Sequence, residues 1–154
     1  MVAETVITLW QPFALLMVLG LKRIETRSWM TGFRGRLWIH AAGSEPRDCK
    51  ALMHESPIRE LLAQHGYHGL HELPRGAILG RVELYFVQRI GPAFLMPDLR
   101  ECLLGDYRCG RYAWFMRGAR RLAEPIAHTG QRGMWHWTPP AGLQWAQEGD
   151  SGQT

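Results

Sequence analysis

The run "LWQPFALLMVLGLKRIETRSW", Leu9 to Trp29, passes from strand to helix to turn to a second extended segment. It follows "TVIT" (Thr5 to Thr8), whose β-branched residues favour a strand continuing to Trp10. Pro12 suits a first helical position and Gly20 suits a helix stop, which predicts a short apolar helix between them. Lys22 falls just past that stop. If Ile24 to Ser28 is extended, Glu25 and Arg27 share one face and Thr26 takes the other. Lys22 can then fold back toward the Glu25 and Arg27 face. The lysine is notable because the chain has only one other, Lys50, and draws the rest of its positive charge from arginine. An arginine is a permanently charged fork, whereas a lysine is a compact charge whose pKa burial can lower.

Outward from this segment, "TGFRG" reads as a turn and "RLWIHAA" as a strand, with Leu37, Ile39 and Ala41 alternating against Trp38 and His40. "SPIRELLAQHG" predicts a helix capped by Ser56, entered through Pro57 and ended by Gly66. The clearest strand is "AILGRVELYFVQRI" (Ala77 to Ile90). Ile78, Val82, Leu84 and Phe86 are expected on one face, and Arg81, Glu83 and Tyr85 on the other. Gly80 within it signals a bulge or the close approach of another backbone. Pro97 to Gly105 reads as a short helix or turn, and "RYAWFMRG" and "GMWHWTPP" as two late strands. Residues 1–140 are expected to form one domain, and residues 141–154 a mobile tail. Five or six strands with a few short helices and no βαβ rhythm give an α+β class and a small mixed β-barrel.

Composition narrows the function classes. A chain of 154 residues with 46% hydrophobic content can bury one core, and a net charge of +4 with a pI near 9.3 suits a polyanionic partner. Cys49, Cys102 and Cys109 lack C-x-x-C spacing, which argues against a disulfide framework or zinc ribbon. The start lacks a basic region before an apolar run, and "FALLMVLG" is too short to cross a bilayer. A soluble, cytoplasmic protein without membrane contact is expected. No G-x-S-x-G elbow, P-loop or dinucleotide fingerprint is present, and no cofactor is expected. His65, His68 and His71 are spaced by three, but the intervening glycines argue for a solvated loop rather than a metal site.

Lys22, Glu25 and Arg27 have two readings on residue types alone: a surface ion-pair cluster, or a site. As a base near neutrality Lys22 would need its pKa lowered by about 3 units, and an adjacent Glu25 pushes the other way. Unless apolar walls desolvate it strongly, Lys22 is better suited to clamp an anion or carbonyl. His40 reads as a hydrogen-bonded histidine at a barrel rim or a cleft-facing one. The tryptophans read mainly as core, with one or two placed at a cleft edge where a base can stack. Arg34 with Arg36, and Arg120 with Arg121, can track phosphates or solvate strand edges.

The block led by Trp10, Gln11 and Pro12, followed by G-x-K-x-x-E-x-R at Gly20, Lys22, Glu25 and Arg27, resembles the ASCH domain. The "IHA" strand, "YAW" (Tyr112 to Trp114) and "PIAHTGQRGMW" (Pro125 to Trp135) extend the resemblance across Val6 to Trp137. The resemblance implies a PUA-like β-barrel with a cleft beside the first helix, and a role in binding RNA or a modified nucleoside or nucleotide. In that frame Lys22 and Glu25 are the catalytic candidates. Trp10, Gln11, Arg27, Trp29, His40 and Trp114 are the nucleotide-binding candidates. Some small bacterial relatives hydrolyse N4-acylated cytidine or RNA, so a Lys22/Glu25 amidohydrolase or ribonuclease is the alternative. The acylcytidine enzymes carry Thr where this chain has Glu25, and Glu83 is the candidate for their further carboxylate. A protein-binding adaptor, its partner unknown, is the third reading.

Overall fold

The computed structural model describes residues 1–44, 51–54 and 56–147. The elements in chain order are β1 (Glu4–Leu9), α1 (Phe13–Val18), β2 (Ile24–Arg27), β3 (Gly35–Ala41), α2 (Ser56–Gln64), β4 (Ala77–Arg89), α3 (Leu99–Leu103), β5 (Tyr112–Ala127) and β6 (Met134–Trp137). The class is mixed α+β. The strands make one six-stranded sheet in the order β2-β5-β4-β3-β1-β6. Four of its pairings are antiparallel, and β1 runs parallel to β3. A parallel neighbour needs a crossover connection, and the segment through α1 and β2 supplies it. This explains why the first strand runs straight into a helix.

Apolar surface covers the sheet on both sides. Ala14, Leu15, Leu16, Met17 and Val18 of α1 are all buried, in one cluster with Leu37, Ile39, Val82, Leu84 and Trp114. Val6, Trp38, Ile78, Leu122, Trp135 and Trp137 form a second cluster. Because β3 lies between the two, Leu37 to Ala41 are buried without alternation. That pattern is the one expected of a strand covered on both faces.

The closed barrel expected from the sequence is not completed. β2 and β6 end the sheet and do not pair with each other. The sheet curls until β2 reaches β1 through a side chain: Arg27 Nη2 donates to the Thr8 carbonyl at 3.1 Å. Three further features depart from, or extend, the sequence reading. Phe86 is 48% exposed rather than sharing the inner face of Leu84, because the β4–β5 register shifts between Leu84 and Phe86. β5 runs on to Ala127, through "RRLAEP", whose charges hide any alternation. Beyond Gly142 the chain stays on the sheet as far as Ala146. Ala123 N donates to the Gln144 carbonyl, Ala146 N donates to the Arg121 carbonyl, and Trp145 stacks on Trp38 at 5.9 Å. Cys49 and residues 148–154 lie outside the described residues.

Gly80 behaves as its position in the strand required. An ideal Cβ built there would stand 2.1 Å from the Arg120 carbonyl oxygen, and the register shifts beside it.

Candidate functional site

A cleft of about 870 Å³ opens beside α1, where the two ends of the curled sheet face each other. Thr8 to Trp10 and Phe13 form one wall, Glu25 to Arg27 another, the Leu103–Asp106 turn with Arg111 a third, and Gln131 to Gly133 a fourth. β2 places Glu25 and Arg27 on one face, as its alternation predicted, and their side chains meet at 3.2 Å. Glu25 is held on its other oxygen by its neighbour's backbone, Thr26 N donating at 3.0 Å. Arg27 is divided between Glu25 and the Thr8 carbonyl, which fixes the guanidinium across the sheet seam.

Lys22 sits behind this pair, not in the cleft lining. Its side chain is fully buried; Nζ donates to the Ile24 carbonyl and, at 2.8 Å, to the Leu104 carbonyl. The Glu25 carboxylate stands 3.8 Å from Nζ and the Phe13 ring 5.6 Å away. Burial lowers the Lys22 pKa, and Glu25 and Glu101 pull it back up. The apolar walls demanded of a lysine base are therefore present. Two of its donors, however, are committed to backbone carbonyls, which pin β2 to the Leu104 turn, and Glu25 stands by the ammonium as well.

Glu101 was not singled out in the sequence, although Asp98-x-x-Glu101 carries a helix-start pattern. Asp98 caps α3 by accepting from Glu101 N at 2.9 Å. The Glu101 side chain, 2% exposed, does not turn back to the cap. It accepts from Arg23 N at 2.6 Å. Glu101 is thus the second carboxylate acting on Lys22. Glu83, the candidate from the sequence, lies on the outer face of β4 and pairs with Arg117 at 3.0 Å.

The aromatic and polar candidates separate by burial. Trp10 is 51% exposed on the cleft wall. Trp114 is wholly buried, with Trp29 edge-on to it at 4.8 Å, and both pack in the large core cluster. Trp29 keeps part of its surface exposed, whereas Trp114 has none. Gln11 is buried, and both ends of its amide are committed: Oε1 accepts from Leu15 N at 3.0 Å and Nε2 donates to the Pro74 carbonyl at 2.7 Å. It serves the start of α1, whose first-turn N–H groups need such a partner. Arg111, Arg132, Gln131 and Asp106 line the cleft without having been picked from the sequence, since each sits in a turn or at a strand end with no periodic signal.

His40 is also interior. His40 Nε2–H donates to the His128 carbonyl at 2.7 Å, and Nδ1 lies 3.2 Å from the Thr8 hydroxyl, which also accepts from Trp135 Nε1 at 3.0 Å. These bonds hold the imidazole ring in place. Burial pushes the His40 pKa below 6.5, against the pull of the His128 carbonyl. The unfolded chain therefore takes up this proton first as pH falls. The stability that His40 contributes is complete above pH 6.5 and is lost as pH falls toward its folded-state value. Thermal unfolding followed between pH 7 and 5 is expected to show a drop in melting temperature that His40→Gln flattens. Equal slopes would show that this histidine does not carry the acid sensitivity. Gly130 packs directly over the ring, since a Cβ there would lie 2.7 Å from His40 Cε1. The loop that supplies Gln131 and Arg132 to the cleft is thereby seated on His40.

A second hollow, of about 640 Å³, is lined by His54, Arg59, Tyr67, His68 and His71, among others. No group of three metal-ligating side chains converges among the described residues. No helix among them is long and apolar enough to cross a membrane.

Residues 7–114 match the ASCH domain. The chain belongs to the ASCH domain family. Its G-x-K-x-x-E-x-R motif is the segment built above from Gly20, Lys22, Glu25 and Arg27. Among curated proteins, this ASCH chain is similar to activating signal cointegrator 1 of Mus musculus, at 40% identity over 78 residues. That stretch is 51% of this chain and 13% of the relative. It is likewise similar to activating signal cointegrator 1 of Homo sapiens, at 40% identity over 74 residues, 48% of this chain and 13% of that protein. The matched stretch is thus a small part of the curated relatives' length. Among solved structures, an ASCH protein from Zymomonas mobilis matches with a TM-score of 0.45 and 19% identity, covering 96% of this chain and 90% of that one.

Proposed function

We propose that the cleft of this ASCH domain binds RNA or a nucleotide, one base stacking on Trp10 and presenting its edge to Glu25. The observation that carries the reading is an exposed indole and a fixed, partly accessible carboxylate lining one cleft. A carboxylate that already accepts from Thr26 N and Arg27 is oriented, and so suits a donor such as an exocyclic amine. Arg132, with no carboxylate partner among the described residues, and Arg111 supply positive charge around the walls for a phosphate. Single-stranded RNA is recognised in this way, by splayed bases on aromatic faces with hydrogen bonds to their edges.

Binding is favoured over hydrolysis because Lys22, the base that hydrolysis would use, has no solvent exposure and no free aim into the cleft. Its role in this reading is to position Glu25 and the Leu104 turn. The test is fluorescence anisotropy with short mixed-sequence RNAs, together with calorimetry on nucleosides including N4-acetylcytidine. Trp10→Ala is expected to weaken binding roughly five- to a hundredfold, the range for one base stack, and Glu25→Gln to alter base preference. Ligand binding that neither substitution changes would overturn the assignment. Chromatography of the same mixtures separates the alternative: conversion of N4-acetylcytidine or RNA that Glu25→Gln abolishes would make the cleft a hydrolase site.

A further inference from the structure

The sheet has a second surface whose charges are arranged unlike those of an ordinary solvated face. Cross-strand register sets Arg36 beside Glu83 and Glu83 beside Arg117, while the neighbouring row sets Trp38 beside Arg81 and Arg81 beside Arg120. The first row is internally neutralised. Arg36 pairs with Glu4 at 3.2 Å, and Arg117 pairs with Glu83 through two bonds of 3.0 and 3.1 Å.

The second row has no such balance. Arg81 and Arg120 are cross-strand partners; Glu4, which is ion-paired with Arg36, is the carboxylate that acts on Arg81, and it does so only at longer range. Like charges directly opposite one another destabilise a sheet. What holds them is the tail's indole: the Arg81 guanidinium lies 4.6 Å, and that of Arg120 4.1 Å, from the Trp145 ring. Arg81 also lies 5.4 Å from Trp38. Stacking fixes the plane of a guanidinium but uses none of its hydrogen-bond donors. Two adjacent cations held on one indole, with no hydrogen bond from either guanidinium to the described residues, make a receptor for phosphate oxygens.

Farther along the same strands the face becomes aromatic. Tyr85, two residues beyond Glu83, is 42% exposed, and Phe86 is turned outward by the register shift. Both rings neighbour Phe115, at 6.4 and 5.6 Å, and Arg117 lies 4.5 Å from the Tyr85 ring. From Arg81 to Tyr85 is about 13 Å at roughly 3.3 Å per residue. Cations followed by exposed rings over that length match the two components of a single-strand binding groove, charge for the backbone and π-faces for the bases.

We propose that the outer face of β4 and β5 is a second interface, for single-stranded RNA, with phosphates on Arg81 and Arg120 and a base on Tyr85. It does not depend on the cleft, whose lining shares none of these residues.

The test is anisotropy titration of the full chain with a fluorescein-labelled 12-nucleotide single-stranded RNA at several salt concentrations. Three variants are compared with wild type: the double substitution Arg81→Gln/Arg120→Gln, Tyr85→Ala, and the cleft substitution Trp10→Ala. The double variant is expected to bind at least tenfold more weakly and to lower the slope of log K against log salt by about 0.7 per arginine. Tyr85→Ala is expected to cost roughly five- to a hundredfold with the slope unchanged, and both effects should persist in the Trp10→Ala background. Wild-type affinity and slope in the double variant would overturn the proposal, as would effects that vanish once Trp10 is replaced. If the double variant unfolds, photocrosslinking of wild type with 4-thiouridine RNA decides. Adducts on Tyr85, Phe86 or Phe115 support the interface, and adducts confined to the cleft refute it. Equal affinity for an RNA and a heparin-like polyanion would likewise refute the base contact on Tyr85.

Discussion

Lys22→Ala is expected to destabilise the fold by about 3–5 kcal/mol, the usual cost of breaking a buried charged arrangement by removing one partner. The substitution strips the Ile24 and Leu104 carbonyls of their donor and leaves Glu25 and Glu101 without the cation between them. It also leaves a cavity where a fully buried side chain had been. At roughly 2–4 °C per kcal/mol for a chain of this size, the melting temperature should fall by about 6–20 °C. Lys22→Met keeps most of the stem's volume and should recover only the packing part of the loss. A Lys22→Ala protein melting within about 2 °C of wild type would mean that the ammonium does not tie β2 to the Leu104 turn. For ligand binding the consequence is practical: loss of binding in a Lys22 variant is interpretable only beside a melting curve.

Gly80→Ala carries the other large effect. The added methyl would stand 2.1 Å from the Arg120 carbonyl oxygen and 3.0 Å from Arg121 Cα, so its neighbours are backbone atoms of the adjoining strand. A flexible side chain could swing away, but a strand paired over its length cannot. Overpacking of this kind costs typically 1–3 kcal/mol and at times more, and here about 3 kcal/mol or more is expected. Denaturant unfolding of Gly80→Ala checks it, and a midpoint unchanged from wild type would show that β4 and β5 separate more easily than their register implies. Arg81 and Arg120 lie on either side of this contact, so the variant should also weaken RNA binding on the outer face.

The extent to which the sequence announced this arrangement follows the range of the forces involved. Short-range signals were legible: the Pro12-to-Gly20 helix, the alternation of β2 that joins Glu25 to Arg27, and the strand glycine at position 80. The parallel pairing of β1 with β3 was not, because nothing local records which strand a neighbour will be. The same reason hid Glu101, whose partner Arg23 lies 78 residues away, and the Trp145 stack, whose partner Trp38 lies two strands across the sheet from the β5 residue that Trp145 bridges. Phe86 misled because one register shift reverses the outward side of a strand. Within the motif, charge type was readable but depth was not. Lys22 and Gln11 look like surface chemistry in a string of letters, and both are interior because α1 and the Leu104 turn close over them.

The unclosed sheet also bears on how copies of this chain behave in a crowded solution. Any open sheet offers two borders at which another molecule can add a strand, the first step toward fibrous association. Here those borders are β2 and β6, each only four residues long. The longest strands, β4 and β5, lie inside the order, and the outer side of β5 is covered by β2 at Tyr112 to Phe115 and by the tail at Arg121 to Ala123. An incoming chain would find only four rungs to hold on either end strand before it gives way to turns.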